Sequence, residues 1–215
     1  FARRFDEIRV ELDQRLDVPL RQIVSGPALI DRTEYTHPAL LAFELSLVRL
    51  LDRFGVRPGH VAGHSFGEVV AASAAGVWSL PVACTVVTTR ARLISEAPPG
   101  GAMVAVERGE AEVTALLAEH GGQVEIAAVH GTASVVISGA EADVLDFAAR
   151  FADRGIRTTR LNVGNGYHSS RMAPILGALG DALRGLPANP ARIPLVSNTT
   201  GGIVVARASL MRDTL

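Results

Sequence analysis

Apolar residues recur at helical spacing from the start of the chain. Phe5, Ile8, Leu12, Leu16 and Leu20 share one face of residues 4–24 and predict an amphipathic helix. Pro38, well placed in a first turn, predicts a second helix over residues 39–54, which Gly55 ends. The apolar run 56–62 predicts a strand, 69–76 a short helix and 81–94 another, before Pro98-Pro99-Gly100-Gly101 breaks the pattern. Beyond that break the periods change. Strand 102–107, helix 110–119, strands 124–129 and 134–138, helix 141–154 and strand 156–163 follow in the order βαββαβ, a ferredoxin-like arrangement. From 164 the chain is expected to return to the first unit, with a helix over 170–186 and a strand over 193–196. The prediction is an α/β protein: a large subdomain from 1–101 and 164–215, and an inserted small subdomain over 102–163.

Composition changes this picture little. Of 215 residues, 48% are apolar and 20% charged, the balance of a globular chain with a real core. The net charge of −1, with scattered Arg, points to no nucleic acid and no membrane surface. The uncharged run 69–89 is long enough to span a bilayer, but it is rich in Ala, Ser and Thr and broken by Gly76 and Pro81. Cys84 is the single cysteine, which excludes a disulfide framework and a thiolate metal site and fits a cytoplasmic location. No secretory leader is recognisable at Phe1, and the chain reads as a piece of a longer polypeptide.

Between the strand over 56–62 and the helix over 69–76 stands Gly63-His64-Ser65-Phe66-Gly67-Glu68. Gly-x-Ser-x-Gly at a strand-to-helix turn is the nucleophile-elbow pattern, which makes the large subdomain hydrolase-like with a parallel sheet. The turn is expected to admit only glycine at both 63 and 67, and to present the Ser65 hydroxyl beside backbone N–H groups that favour a developing negative charge. The bare motif arises by chance in many chains; its placement and the added His64 and Glu68 make it more specific.

A serine nucleophile needs a base. Six histidines are available: His37, His60, His64, His120, His130 and His168. His60 and His120 are expected at the surface, and His64 adjoins Ser65 too closely to turn toward it. His168 lies in Gly164-Asn165-Gly166-Tyr167-His168-Ser169-Ser170, a loop at the expected junction between subdomains, where clefts form. A capping or packing role is its alternative.

Several words of the chain occur together in one order: Thr36-His37-Pro38-Ala39-Leu40, the elbow, Arg90-Ala91-Arg92-Leu93, Gly100-Gly101-Ala102-Met103, Val135-Val136-Ile137-Ser138-Gly139 and His168-Ser169-Ser170-Arg171-Met172. With these the chain resembles the malonyl-CoA:ACP acyltransferases, in particular the acyltransferase domains of polyketide synthases. The resemblance implies that Ser65 is acylated by an acyl-CoA, malonyl-CoA favoured, and that the phosphopantetheine thiol of an acyl carrier protein collects the acyl group. It implies a Ser–His dyad with His168 as base, the backbone N–H of Phe66 as an oxyanion donor, and Arg90 as partner of the acyl carboxylate. His37, His64, His130, Asn165 and Tyr167 are then expected to border the substrate. No metal and no permanently bound cofactor are implied; the partners are the acyl-CoA, the carrier protein and other synthase domains.

The chain departs from the family pattern in places. The family's N-terminal Gly-Gln-Gly loop and its C-terminal end are absent from the sequence. His37 stands where Gln is usual, His130-Gly131-Thr132 where Asn-Gly-Pro is usual, and Asn165-Gly166-Tyr167-His168 where His-Ala-Phe-His accompanies malonyl and Tyr-Ala-Ser-His methylmalonyl units. Tyr167 is aromatic like the malonyl version, and a ring there fills the space a C2 methyl needs; such a clash discriminates by only ~1–3 kcal/mol. Two rivals stand beside the transferase reading: a serine hydrolase or thioesterase-like enzyme on the same elbow, and a degenerate synthase domain without activity.

Overall fold

The computed structural model describes residues 1–198 and 200–204. They form two compact units, one from Phe1–Ser95 with the chain from Ala178 onward, the other from Glu96–Gly177.

The first unit is mainly helical. Helices α1 (Ala2–Asp13), α2 (Leu20–Ser25), α3 (Pro27–Ile30), α4 (Thr33–Arg53), α5 (Gly67–Ala74) and α6 (Leu80–Ser95) follow in order. The single helix expected over 4–24 is two. Pro19 has no N–H to continue a helix and restricts the residue before it; α2 restarts behind it, with the Leu20 N–H donating to the Asp13 carboxylate at 2.7 Å. The α4 helix begins at Thr33, ahead of Pro38, because the Arg32 carbonyl already accepts from the Tyr35 and Thr36 N–H groups. Gly55, at φ +79°, ends it in the left-handed conformation open to glycine. The helix packs on α1 and α6, burying Leu41, Ala42 and Leu45.

The strand expected over 56–62 is irregular chain up to Val61, since Pro58 has no N–H to donate to a ladder and Gly59 has no side chain to pack. Val61 forms a parallel bridge with Leu195, and Val196 an antiparallel one with Ile203; these bridges are the sheet of this unit among the described residues. The described residues contain no helix long and apolar enough to cross a membrane.

The second unit has β1 (Gly101–Val106), α7 (Glu110–His120), β2 (Val124–Val129), β3 (Val135–Ala140), α8 (Glu141–Ala152) and β4 (Thr158–Arg160). All pairings are antiparallel and the strand order is β2-β3-β1-β4, the ferredoxin-like topology. Alternate residues Val104 and Val106 of β1, Val135 and Ile137 of β3, meet Val144, Phe147 and Phe151 of α8 in a closed core. A 3₁₀ turn (Ser170–Met172) leads into α9 (Ala173–Leu183).

The unit boundary differs from the expected 102–163. Residues 164–177 stay with the small unit because they are tied to it. The Ser170 N–H donates to the Glu125 carboxylate at 2.7 Å, and the Arg171 guanidinium donates to the Pro98 and Pro99 carbonyls at 3.0 and 2.6 Å. His120 also departs from expectation. Its side chain is 6% exposed, with its ring 4.8 Å from that of Phe147, so it packs instead of facing water.

Candidate active site

Ser65 sits at φ +51° and His168 at φ +57°; among the described residues they are the two non-glycine residues with positive φ. Such backbone costs energy and persists where surrounding structure holds it, typically at functional positions. Each is held differently.

At Ser65 the chain turns from Val61 straight into α5. Amides of Gly67, Glu68 and Val69 donate to the carbonyls of His64, Ser65 and Phe66 at 2.9 to 3.0 Å. A Cβ on Gly63 would lie 1.9 Å from the Gly67 carbonyl oxygen and 2.5 Å from the Glu68 nitrogen, so only glycine fits there. Gly67 corrects the expectation of two obligatory glycines: its Cβ would enter open space. The tight contact runs one way, from 63 onto the backbone at 67.

Two residues support this turn: Glu68, which the sequence offers only as part of the motif, and Asn198, which it does not single out. Glu68 is fully buried in the first turn of α5, and its carboxylate accepts from the Asn198 N–H at 3.1 Å. The Asn198 side-chain amide donates to the Gly63 carbonyl. With the Val61–Leu195 bridge, residues 194–198 brace the elbow. Glu68 carried a signal, an acid in a first helical turn where the dipole favours it; Asn198 carried none.

Ser65 is half-buried and His64 exposed. Both line a groove of about 600 Å³ within this unit, whose opposite wall is the Leu40, Leu47 and Leu51 face of α4. Arg90 and His37 are not among its walls.

Arg90, on α6, is 3% exposed, whereas Arg92 two residues on is exposed. Arg90 Nη1 lies 3.2 Å from His37 Nδ1. The His37 ring stacks on Phe66, centroids 4.9 Å apart and planes 10° from parallel. Burial first, and the Arg90 charge second, lower the His37 pKa to about 3, so the imidazole is neutral. The first unit thus brings Ser65, Phe66, His37 and Arg90 into one neighbourhood. Cys84 is no competing nucleophile: burial pushes its thiol up to about 12.

The second unit carries Asn165, Tyr167 and His168, all half-exposed. The Ser169 hydroxyl donates to the Gly166 carbonyl at 2.6 Å and closes the turn that bears His168. Gly166 has a structural reason: a Cβ would lie 2.7 Å from the Gly139 carbonyl oxygen. Gly101 matches it, since a Cβ there would lie 2.1 Å from the Gly166 nitrogen. His130 is exposed in the β2–β3 hairpin, where its N–H donates to the Ser134 carbonyl. No group of three or more His, Cys, Asp or Glu suited to a metal occurs among the described residues.

A family model described as the acyl transferase domain matches residues 1–211. The chain belongs to the acyl transferase domain family. Among its relatives, the spectinabilin polyketide synthase system protein NorB of Streptomyces orinoci is 46% identical over 209 residues, which are 94% of this chain and 10% of that protein. The acyltransferase domain from the second module of the salinomycin polyketide synthase superposes with a TM-score of 0.90 at 43% identity, covering 99% of this chain and 51% of that one. The malonyl-CoA:acyl carrier protein transacylase of Xanthomonas oryzae pv. oryzae superposes with a TM-score of 0.90 at 33% identity, over 98% of this chain and 70% of that one. This acyltransferase-family chain therefore spans a tenth of that synthase protein and about half of the salinomycin domain. Its architecture is the two-subdomain α/β fold of these domains.

Proposed function

We propose that this acyltransferase domain moves a malonyl-type unit from coenzyme A to the phosphopantetheine thiol of an acyl carrier protein, through an ester on Ser65. The observation that carries the reading is Ser65 at φ +51° behind a glycine whose Cβ would strike the backbone at 67. A serine is kept there at a cost of about 1–2 kcal/mol relative to glycine, which a merely structural turn would not require.

In the proposed first half-reaction the Ser65 hydroxyl attacks the thioester carbonyl while His168 takes its proton. The tetrahedral oxyanion is met by the Phe66 N–H at the start of α5. The carbon–sulfur bond then breaks, and the departing coenzyme A sulfur receives the proton from His168. In the second half the carrier thiol gives its proton to His168 and attacks the ester, and Ser65 leaves with that proton. Arg90 pairs with the free carboxylate of the acyl group, so monoacids forgo a charge-assisted bond. Tyr167, Asn165, His64 and His130 are assigned to the borders of the substrate. Tyr167 favours malonyl over methylmalonyl, and the location proposed is the cytoplasm.

The test is transfer by the full-length domain. Incubated with malonyl-CoA and holo carrier protein, it is expected to give malonyl-carrier protein, with His168→Ala reducing the rate at least a hundredfold. In competition, malonyl-CoA is expected to outpace methylmalonyl-CoA by about tenfold. Hydrolysis to free malonate with no carrier product would instead support the hydrolase.

A further inference from the structure

We propose that His37 is a positioning residue, which accepts a hydrogen bond from the Arg90 guanidinium and lies flat on Phe66, so that the carboxylate-binding cation is held in fixed register with the turn bearing Ser65. The inference rests on the assignment of Arg90 as partner of the acyl carboxylate.

Three separate elements of the first unit meet here. α4 supplies His37, α6 supplies Arg90, and Phe66 directly precedes α5. The nitrogen–nitrogen distance of 3.2 Å and the 10° stack are set by packed helices, with Phe66 8% and Arg90 3% exposed. A guanidinium has donors only, so Nδ1 must accept, which leaves the imidazole proton on Nε2. With a pKa near 3, that tautomer persists over any neutral working range.

The chemical consequence is preorganisation. An arginine side chain has many rotamers, and ordering them when substrate arrives costs affinity. A ring pinned between helix and phenyl face removes part of that freedom in advance. Because the acceptor is neutral, this contact orients the guanidinium without cancelling any of its charge. An Asp or Glu in the place of His37 would orient it equally well and compete with the substrate carboxylate.

The experiment compares steady-state transfer of malonyl-CoA and acetyl-CoA to carrier protein by the full-length enzyme. The variants are His37→Phe, His37→Gln, Arg90→Ala and the double variant His37→Phe/Arg90→Ala. Phe keeps the stack and deletes the acceptor; Gln restores an acceptor. We expect His37→Phe to raise KM for malonyl-CoA about tenfold, the scale of one hydrogen bond to a charged group. The value of kcat and both acetyl-CoA constants should stay within about twofold, and His37→Gln should recover most of the lost affinity. The double variant should be no worse than Arg90→Ala alone. Equal changes toward both acyl-CoA substrates, or no change in His37→Phe while Arg90→Ala loses diacid preference, would overturn the role of His37 alone. Undiminished diacid preference in Arg90→Ala would remove the carboxylate assignment, and this inference with it.

Discussion

Glycines 63 and 67 flank Ser65 symmetrically in sequence and asymmetrically in space. Gly63→Ala places a methyl inside the Gly67 carbonyl, so it should destabilise the fold by about 3 kcal/mol. Gly67→Ala meets open space in the first turn of α5 and should stabilise by about 0.5–1 kcal/mol. Denaturant melts of the two variants check the pair. His37 makes a separate prediction about acid. Its folded pKa of about 3 lies below its ordinary value of 6.5, so the unfolded chain binds a proton that the folded one refuses. Stability is complete above pH 6.5 and falls as pH drops from there toward 3, by on the order of 2 kcal/mol at pH 5. His37→Gln should flatten that part of the pH–stability curve. Arg90 was legible in hindsight: it falls at helical spacing with Val86, Val87 and Ile94 on the buried stripe of α6, and Arg92 does not. The residues alone do not otherwise separate Arg90 from Arg92; the resemblance to the family does.

The helices and the βαββαβ unit follow from period and punctuation, and those parts were legible. What escaped the pattern was the break over residues 14–19 that divides the first helix, while Pro38 sits inside α4 without stopping it. The strand expected over 56–62 does not form as such, since apolar content does not supply partners, and Val61 finds one only at Leu195, far along the chain. The loop 165–168 shows the opposite error. Gly166 looked foreign to the family words, yet the Gly139 carbonyl leaves no room for the alanine those words carry. Gly166→Ala should therefore displace the His168 turn from β1 and β3 and reduce transfer at least tenfold, while the melting point of the sheet changes little. Activity measured beside thermal unfolding separates the two effects. Asn198 is the residue no local pattern discloses, because its bonds to Gly63 and Glu68 close over 130 or more positions of sequence. Asn198→Ala should slow acylation by loosening the elbow, at a stability cost of about 1–2 kcal/mol.

At the scale of the molecule, the chain distributes one proposed reaction over two units. Ser65, Phe66, His37 and Arg90 belong to the first, and Tyr167 and His168 to the second, each with its own core. An inserted βαββαβ unit is predictable because its periods differ from the helices around it; the attachment of residues beyond 163 to that unit is not, because Ser170 and Arg171 bind back to it through loop carbonyls and one carboxylate. The central claim is chemical: the hydroxyl of residue 65 carries the acyl group between two thiols. Rapid-quench mass analysis of the full-length domain mixed with malonyl-CoA tests it most directly. The account predicts a malonyl ester on the peptide containing Ser65, discharged on addition of holo carrier protein and missing from Ser65→Ala. An enzyme that loads the carrier with no such ester, or an adduct that survives in Ser65→Ala, contradicts it.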